Sequence, residues 1–256
     1  MEHIAVLEPS KFKKILMVIY LIVFVLPILT AGSLLVALIS LLTFFQFRNF
    51  VMTYLVAPWC ILVLRLIGIK VSYKGPTFTA KQSVFICNHL SAFDIFVICS
   101  LGLPQCRYFL SVSTLKFLPL TFVGMCTGVF YVSEQADREK RVQEFKEACK
   151  ALQKTGESVF LTPEGFRNRE FSLQKFNKGA FHLATELKAD IHCLLIDCPK
   201  ECHPGLGFIA SSGVIQVEHI GSFATGEWKL AQLDHNIASV RQQYLDRIAS
   251  ANSCKF

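Results

Sequence analysis

Formal charge is scarce in this chain and is missing from one long segment. Of the 256 residues, 18% are Asp, Glu, Lys or Arg, and 52% are hydrophobic. Residues 15–47 include no charged side chain and no histidine. The mean hydropathy of +0.44 is too high for an ordinary soluble domain. Because pumps and channels place ionisable side chains inside their spans, the uncharged segment argues against that class and indicates a membrane anchor.

The uncharged segment is too long for one straight span. A helix of that length measures about 50 Å, whereas the hydrocarbon core of a bilayer is about 30 Å thick. Pro27 and Gly32 lie in its middle and predict a break into two helices, Ile15–Leu26 and Ser33–Phe47. Each half is short for a span, which favours a re-entrant or interfacial hairpin, although a tilted single span is also possible. A cleaved signal peptide is not expected, because the stretch is too long and has no clear cleavage site.

Basic residues lie on both sides of this segment and favour a hairpin with both ends on the cytoplasmic face. They are Lys11, Lys13 and Lys14 before it, and Arg48, Arg65, Lys70 and Lys74 after it. A second apolar stretch, Phe50–Leu64, is interrupted by Pro58 and is expected to lie on the membrane or to pack on the hairpin. We therefore divide the chain into membrane-anchoring helices over residues 1–65 and a cytoplasmic domain over residues 66–256.

The chain also lacks the cysteine spacing of a zinc site. Its ten cysteines include no CxxC pair, and the nearest pattern, Cys198-x3-Cys202-His203, has no second pair. We interpret the cysteines as reduced core residues and predict no metal. The net charge of +7 is not clustered into a stripe that would bind nucleic acid. It suits an anionic lipid surface or a phosphate-bearing substrate better.

From residue 68 onward, short apolar runs alternate with helical patterns, which is typical of an α/β fold with a central, mostly parallel sheet. The candidate strands are residues 69–73, 84–87, 106–110, 128–132, 158–161, 192–196 and 214–219. Apolar residues at three- and four-residue steps predict a helix after Asp137, and two further helices are predicted over residues 178–187 and 236–249.

A histidine and an aspartate follow the strand predicted at residues 84–87. Ser91 and Asp94 have the spacing of a helix N-cap signature, so we expect His89 in the turn between strand and helix and Asp94 in the first helical turn. Open α/β sheets bind ligands at this end of their strands. An imidazole oriented by a carboxylate there can act as a general base. From spacing alone, a structural histidine and a capping acid remain the alternative.

A second polar cluster follows the strand predicted at residues 158–161. Pro163, Glu164 and Gly165 mark a turn, and Arg167 and Arg169 come next. Paired arginine hydrogen bonds can grip a phosphate, and Glu164 could either hold an arginine or orient the loop through backbone N–H groups. A solvated charged turn is the other possibility. Lys175 and Lys178 add two cations just before a predicted helix start, where the helix dipole favours an anion.

Together these blocks resemble the glycerolipid acyltransferases over about residues 60 to 220. Residues 88–94 look like the NHxxxxD motif of that family, and residues 163–167 look like its PEGTR block. Residues 128–132 and 175–180 are similar to two further blocks, and the four occur in the family's order.

The resemblance implies transfer of a fatty acyl group from acyl-CoA or acyl carrier protein to the hydroxyl of a lysophospholipid. The expected acceptor is 1-acylglycerol-3-phosphate, giving phosphatidate in phospholipid biosynthesis. By this likeness His89 takes the hydroxyl proton, Asp94 orients His89, and Glu164, Gly165 and Arg167 form the phosphate site. No metal or prosthetic group is implied, and the partners are membrane lipids and the acyl donor.

The sequence departs from the family pattern at several positions. Phe166 stands where a threonine is usual, Ser133 follows the middle block where an arginine is expected nearby, and Val112 and Ser113 stand where a lysine is common. These departures leave two alternatives open. One is another lysolipid acceptor, and the other is a non-catalytic membrane-targeting module on the same fold.

Overall fold

The central feature of the fold is a seven-stranded sheet. The computed structural model describes residues 11–91, 93–165, 172–199, 202 and 212–253, and within them the strand order is β1-β7-β6-β2-β5-β3-β4. The strands are β1 Ile69–Lys74, β2 Ser83–Cys87, β3 Cys106–Ser111, β4 Phe130–Val132, β5 Ser158–Leu161, β6 Asp190–Asp197 and β7 Gly213–Phe223. Each matches a run predicted from the sequence, and the mostly parallel α/β sheet is confirmed.

Strand direction decides which strand ends meet. Neighbouring strands pair in parallel, except that β6 and β7 are antiparallel. The strands β1 and β7 therefore run opposite to the other five. The carboxyl ends of β6, β2, β5, β3 and β4 consequently lie at one edge of the sheet, where α/β proteins bind their ligands.

Helices cover both faces of the sheet. They are α1 Lys11–Tyr20, α2 Leu26–Leu42, α3 Arg48–Val51, α4 Ala57–Leu66, α5 Asp94–Ser100, α6 Leu118–Thr127, α7 Arg138–Thr155, α8 Gly179–Leu187 and α9 Leu233–Ser253. The last three confirm the helices predicted from apolar periodicity. In α7 the side chain of Asp137 caps the first turn, and Gly156 ends the helix in the left-handed conformation, with φ of 67°.

The two faces have separate hydrophobic cores. Every residue of β2 is buried, because the strand is central and covered on both sides. Phe85 and Cys87 point into a core shared with α2, α4, α5 and α6. Val84 and Ile86 point into a core shared with α7, α8 and α9. The described cysteines are free thiols, most of them buried, whereas Cys254 lies outside the described residues.

The predicted break at Pro27 and Gly32 is wrong. The chain stays helical from Lys11 to Leu42 through a π-helical turn, Leu21–Val25, that ends two residues before Pro27. A proline ring clashes with the carbonyl four residues earlier in a regular α-helix. The wider π turn relieves this clash and lets the helix continue. A second π turn, Met52–Val56, stands in the same position before Pro58.

A hairpin does form, but its second arm is the continuous helix from Arg48 to Leu66. This arm packs along the first one, which confirms one of the two arrangements expected for the stretch Phe50–Leu64. The Tyr20 hydroxyl donates to the Leu66 carbonyl at 3.0 Å. The Trp59 ring of the second arm lies over Gly32 of the first, where there is no side chain to displace it.

The hairpin has an inner face in the core and an outer apolar face. Val56, Cys60 and Leu64 are buried with Phe85 of the sheet. The outer face exposes large apolar side chains, including Phe24, Leu42 and Phe44. Its two helices, Ile15–Leu42 and Arg48–Leu66, are long and apolar enough to cross a membrane. They support association with a membrane. The division of the chain at residue 65 stays a prediction.

Helix α6 continues the exposed apolar surface of the hairpin. It packs against α2 and keeps Leu118, Phe122 and Met125 exposed at helical spacing. These side chains lie on one side of the helix, since residues three and four apart are neighbours. The apolar surface therefore extends from the hairpin onto the α/β part of the chain.

An ion pair joins the hairpin to the sheet edge that lies opposite the carboxyl ends of the five mutually parallel strands. Arg48 begins α3 and donates through Nε and Nη2 to both carboxylate oxygens of Glu157, at 2.8 and 2.5 Å. Glu157 immediately precedes β5 and is buried. The turn of the hairpin is therefore fixed beside the start of a central strand.

Close packing of the arms at Gly32 makes a testable prediction. A Gly32→Leu side chain would collide with the Trp59 ring and should lower stability by about 1–3 kcal/mol, the usual cost of overpacking. Thermal unfolding in detergent should show a decrease in Tm of several degrees. Gly226→Leu is the control, because a Cβ at Gly226 has no neighbour within 4 Å. Equal Tm values for the two variants would contradict the described packing.

Candidate active site

Two loops meet at the carboxyl edge of the sheet. His89 lies two residues beyond β2, and Glu164 lies three residues beyond β5. The two strands are adjacent and parallel, with Ile86 opposite Leu161. This register brings both loops together, so the strand-to-helix turn predicted for His89 is confirmed. The His89 side chain is 25% exposed and is accessible from solvent.

Asn88 fixes the position of the histidine loop. Its side-chain amide is buried and makes two hydrogen bonds with the backbone of Ile196 in the neighbouring strand β6. The Asn88 Nδ2 donates to the Ile196 carbonyl at 2.9 Å, and Oδ1 accepts from the Ile196 N–H at 2.8 Å. These two side-chain hydrogen bonds continue the contact between β2 and β6 one residue beyond the end of β2. Asn88 therefore has a structural role in the loop.

The histidine and the aspartate are in direct contact. His89 Nδ1 lies 2.8 Å from Asp94 Oδ2, and the Asp94 side chain is only 5% exposed. Asp94 is the first residue of α5, as predicted. A carboxylate in this place fixes the ring and the tautomer that carries hydrogen on Nδ1. The other ring nitrogen, Nε2, makes no hydrogen bond to the described residues and is available as a base.

Asp94 also organises the turn before its helix. Its carboxylate accepts hydrogen bonds from the backbone N–H groups of Leu90 and Ser91, at 2.7 and 3.0 Å, and from the Ser91 hydroxyl at 2.9 Å. The Ser91 oxygen in turn accepts from the Phe93 N–H. Only half of the capping box predicted from the Ser-x-x-Asp spacing is formed. The Asp94 carboxylate accepts from the Ser91 N–H, but α5 begins directly after Phe93, so Ser91 is not the N-cap residue. One buried carboxylate thus both closes the turn and orients the imidazole.

Glu164 joins the second loop to the first. It is 1% exposed, and its Oε1 accepts from the backbone N–H of His89 at 2.8 Å. Its Oε2 accepts from the backbone N–H of Gln174, also at 2.8 Å. Burial raises the pKa of Glu164, and the two backbone hydrogen bonds oppose that increase. Of the roles considered for Glu164, these contacts support orientation of the loop through backbone N–H groups.

Gly165 is required by the shape of this turn. Its φ of +75° lies in the left-handed region, and a Cβ there would stand 2.5 Å from Gln135 Nε2 and 2.8 Å from Asn177 Nδ2. The Asn177 amide donates to the Glu164 carbonyl at 2.9 Å. Sequence reasoning missed this role of Asn177, although its family block was recognised.

The cations predicted in and after the second polar cluster differ in their positions and contacts. Arg167, expected to bind phosphate, and its neighbour Arg169 lie outside the described residues. Lys178 forms an ion pair with Asp234 of α9 at 2.7 Å, so its charge is partly neutralised by a contact that the sequence did not indicate. Lys175 is exposed before α8.

Helix α9 supports the loop that carries Gln174. Arg241 donates to the carbonyls of Gln174 and Leu173, at 3.0 and 2.9 Å. Tyr244 is fully buried, and its hydroxyl lies within hydrogen-bond distance of the carbonyls of Ile86 in β2 and Leu194 in β6, at 2.9 and 3.0 Å. Neither role has a local sequence signal, because both depend on where the last helix crosses the sheet.

The geometry defines an α/β protein with a carboxylate-oriented histidine at the carboxyl edge of a parallel sheet. Such a pair can remove a proton from a hydroxyl group and stabilise the resulting imidazolium. Among the described residues, no group of three His, Cys, Asp or Glu side chains is placed to hold a metal ion.

The chain belongs to the acyltransferase family, whose sequence model matches residues 69–197. It is 23% identical to a 1-acyl-sn-glycerol-3-phosphate acyltransferase of Cocos nucifera, over 73% of this chain and 60% of that protein. It is 26% identical to the protein of that name from Haemophilus influenzae, over 57% of this chain and 61% of that protein. These matches span less than two thirds of either relative.

A solved structure shares the fold. The 1-acyl-sn-glycerophosphate (LPA) acyltransferase PlsC from Thermotoga maritima is similar over 93% of this chain and 98% of its own, with a TM-score of 0.74. Sequence identity is 14%, so the likeness concerns the fold. It extends well beyond the residues matched by the family model and includes most of the N-terminal hairpin.

The contact between the two loops can be tested through Glu164. A Glu164→Gln side chain has one acceptor oxygen and a donor NH₂, so one buried N–H loses its partner. We expect a loss of stability of about 1–3 kcal/mol, measured by thermal unfolding. Glu134→Gln is the control, because Glu134 is exposed. An unchanged Tm in Glu164→Gln would show that this carboxylate does not join the loops.

Proposed function

We propose that the protein transfers a fatty acyl group from a thioester to the hydroxyl of a lysophospholipid. The donor is acyl-CoA or acyl carrier protein, and the acceptor is 1-acylglycerol-3-phosphate, giving phosphatidate in phospholipid biosynthesis. The observation that carries the proposal is the contact between His89 and Asp94 at the carboxyl edge of the sheet. Membership of the acyltransferase family and the names of the relatives support it.

In the proposed reaction, Nε2 of His89 takes the proton from the acceptor hydroxyl. The hydroxyl oxygen attacks the thioester carbonyl carbon, and a new C–O bond replaces the C–S bond. The proton held by His89 then passes to the leaving thiolate sulfur. Asp94 stabilises the imidazolium while it carries this proton. A general base held in this way contributes about 10²–10⁴-fold to the rate.

The acceptor phosphate is assigned to the turn that follows β5. Arg167 can grip a phosphate by two parallel hydrogen bonds. Glu164 and Gly165 lie just before Arg167 and determine the backbone conformation of this turn. The Glu164 carboxylate fixes the turn by accepting a hydrogen bond from the His89 N–H. In this proposal Arg167 contacts the phosphate, whereas Glu164 and Gly165 position the turn.

Membrane lipids are the source of the acceptor in this proposal. The exposed apolar faces of the hairpin and of α6 offer a continuous surface to a bilayer. The first apolar helix is continuous, so both of its basic ends can face the cytoplasm if the helix lies along the membrane surface, as we propose. A lysolipid would then reach His89 from the bilayer without crossing water.

Another lysolipid acceptor is favoured by one observation. Ser113 stands where related sequences commonly carry a lysine, and it lies in the 3₁₀ turn Val112–Lys116 that follows β3 at the same sheet edge. Without that lysine, an acceptor with a larger headgroup becomes a candidate. A panel of lysolipids offered with one labelled acyl donor, with products identified by mass, distinguishes the acceptors.

The base is tested by His89→Ala and Asp94→Asn. Turnover should fall about 10²–10⁴-fold in His89→Ala, because the proton acceptor is removed. Asp94→Asn should also lose most of its activity, because the ring and its cation lose their partner. His235→Ala, on the exposed surface of α9, should keep full activity. Near-normal acyl transfer by folded His89→Ala would refute the mechanism, and no transfer to any lysolipid by the unaltered protein would refute the function.

The acceptor assignment is tested by Arg167→Ala and Arg167→Lys. The KM for the lysolipid should rise in Arg167→Ala with little change in the KM for the donor, which is the kinetic form of lost ground-state binding. Arg167→Lys should not restore the original KM for the lysolipid, because an ammonium group cannot make the bidentate contact. A raised donor KM with an unchanged lysolipid KM would assign Arg167 to the donor instead.

A further inference from the structure

A large groove lies on the face of the sheet opposite the hairpin. It has a volume of about 1450 Å³ and is enclosed by α7, α8 and α9. These helices cover the second hydrophobic core, whereas the apolar hairpin and α6 cover the first. The groove therefore opens on the side of the molecule away from the proposed membrane surface. Its concave shape suits a small molecule.

Cations dominate the wall of this groove. Arg138, Lys146 and Lys150 line it from α7, and Lys175 lines it from the loop before α8. All four side chains are exposed. Lys146 and Lys150 are four residues apart, which places them on one side of the helix about 6 Å apart along its axis. Such a pair can contact neighbouring phosphate oxygens of one ligand.

The acidic groups of the groove are fewer. Glu186 and Asp234 are its acidic lining residues among those that the structure describes. Asp234 is paired with Lys178. This leaves Glu186 as the acid that faces the four cations of α7 and of the loop before α8, so positive charge is in excess in the groove. A ligand with several negative charges would complement this surface.

Apolar surface lies between the cations. Val142 is 48% exposed on the groove side of α7. The ring of Phe145 lies beside it and packs against the backbone of Gly179 at the start of α8. Sites that combine apolar surface with a few polar groups bind ligands that have both characters. Phosphates joined to a flat heterocyclic base meet that description.

One end of the groove reaches the candidate active site. Asn177 and Gln135 line the groove and also stand beside Gly165. The Asn177 amide donates to the Glu164 carbonyl, and the Glu164 carboxylate accepts from the His89 N–H. A ligand in the groove could therefore extend a flexible arm toward His89 along the edge of the sheet.

We infer that this groove binds the phosphorylated nucleotide part of a CoA thioester, an inference that rests on the proposed acyl transfer. The nucleotide carries the negative charges and the flat base, and the pantetheine arm would carry the thioester to the carboxyl edge. The acyl chain would continue toward the apolar face. We choose CoA over a carrier protein because the cations line a concave groove, and a protein partner needs a broad exposed surface.

The test measures CoA binding to the full chain in detergent by titration calorimetry. The double variant Lys146→Glu with Lys150→Glu should bind CoA at least about tenfold more weakly, because two charge-assisted contacts are lost and repulsion is added. The matched control is Lys140→Glu with Lys154→Glu, which alters the charge of α7 equally at two exposed positions that do not line the groove. Its Kd should change less than about twofold.

The neutral variant Lys146→Gln with Lys150→Gln removes the cations without adding charge. It should weaken CoA binding to an intermediate extent, and its unfolding curve should match that of the unaltered protein. Equal CoA affinity in this variant, in the charge-reversed variant and in the control would overturn the inference. An equal loss in the control pair would also overturn it, because a general charge effect would then explain the result.

Kinetics with two donors separate this inference from the proposed function. The charge-reversed variant should show a raised KM for acyl-CoA and an unchanged KM for the lysolipid. If acyl transfer is normal and only the KM for acyl carrier protein rises, the groove is a protein-docking surface and the inference is wrong. If groove variants lose CoA binding in a protein that acylates no lysolipid, the proposed function fails while the nucleotide site stands.

Discussion

The candidate site depends on a buried carboxylate that bridges two loops. Burying a charged group is costly unless hydrogen bonds replace its water, and Glu164 meets this condition with the backbone N–H groups of His89 and Gln174. The arrangement is possible because β2 and β5 are adjacent and parallel, so their loops leave the sheet at the same edge. Asp94 then fixes the His89 ring from its own helix. Backbone and side chain of the histidine are thus held by two different carboxylates.

The sheet separates two chemically different surfaces. One face carries the hairpin and α6, with large exposed apolar side chains, and the other carries a groove lined by cations. The candidate site lies at the edge between them. In the proposed function, a lipid acceptor and a donor with a charged head and an apolar chain both have to lie within reach of one base.

Local patterns gave most of the fold, and contacts between distant residues account for the rest. The seven strands and three of the helices follow from buried runs and apolar periodicity, which are properties of neighbouring residues. The predicted break at Pro27 was wrong because a π-helical turn accommodates the proline ring within a continuous helix. No local sequence pattern distinguishes such a turn from a helix break. His89 and Asp94 were found through a capping signature. The partners of Glu164 and Asn88 depend on strand order, which no local pattern specifies.

The hairpin is part of the folded core and is held at both ends. At one end Arg48 pairs with Glu157 beside the start of β5, where Arg107 also approaches the same carboxylate. Burial and the nearby Arg48 lower the pKa of Arg107 to about 10, which leaves it cationic at neutral pH. At the other end Tyr20 donates to Leu66, close to the carboxyl edge. Because both ends are fixed, the position of His89 relative to the apolar face is set by packing. A flexible linker would instead let the site drift from the lipid surface that, in the proposed function, supplies its acceptor.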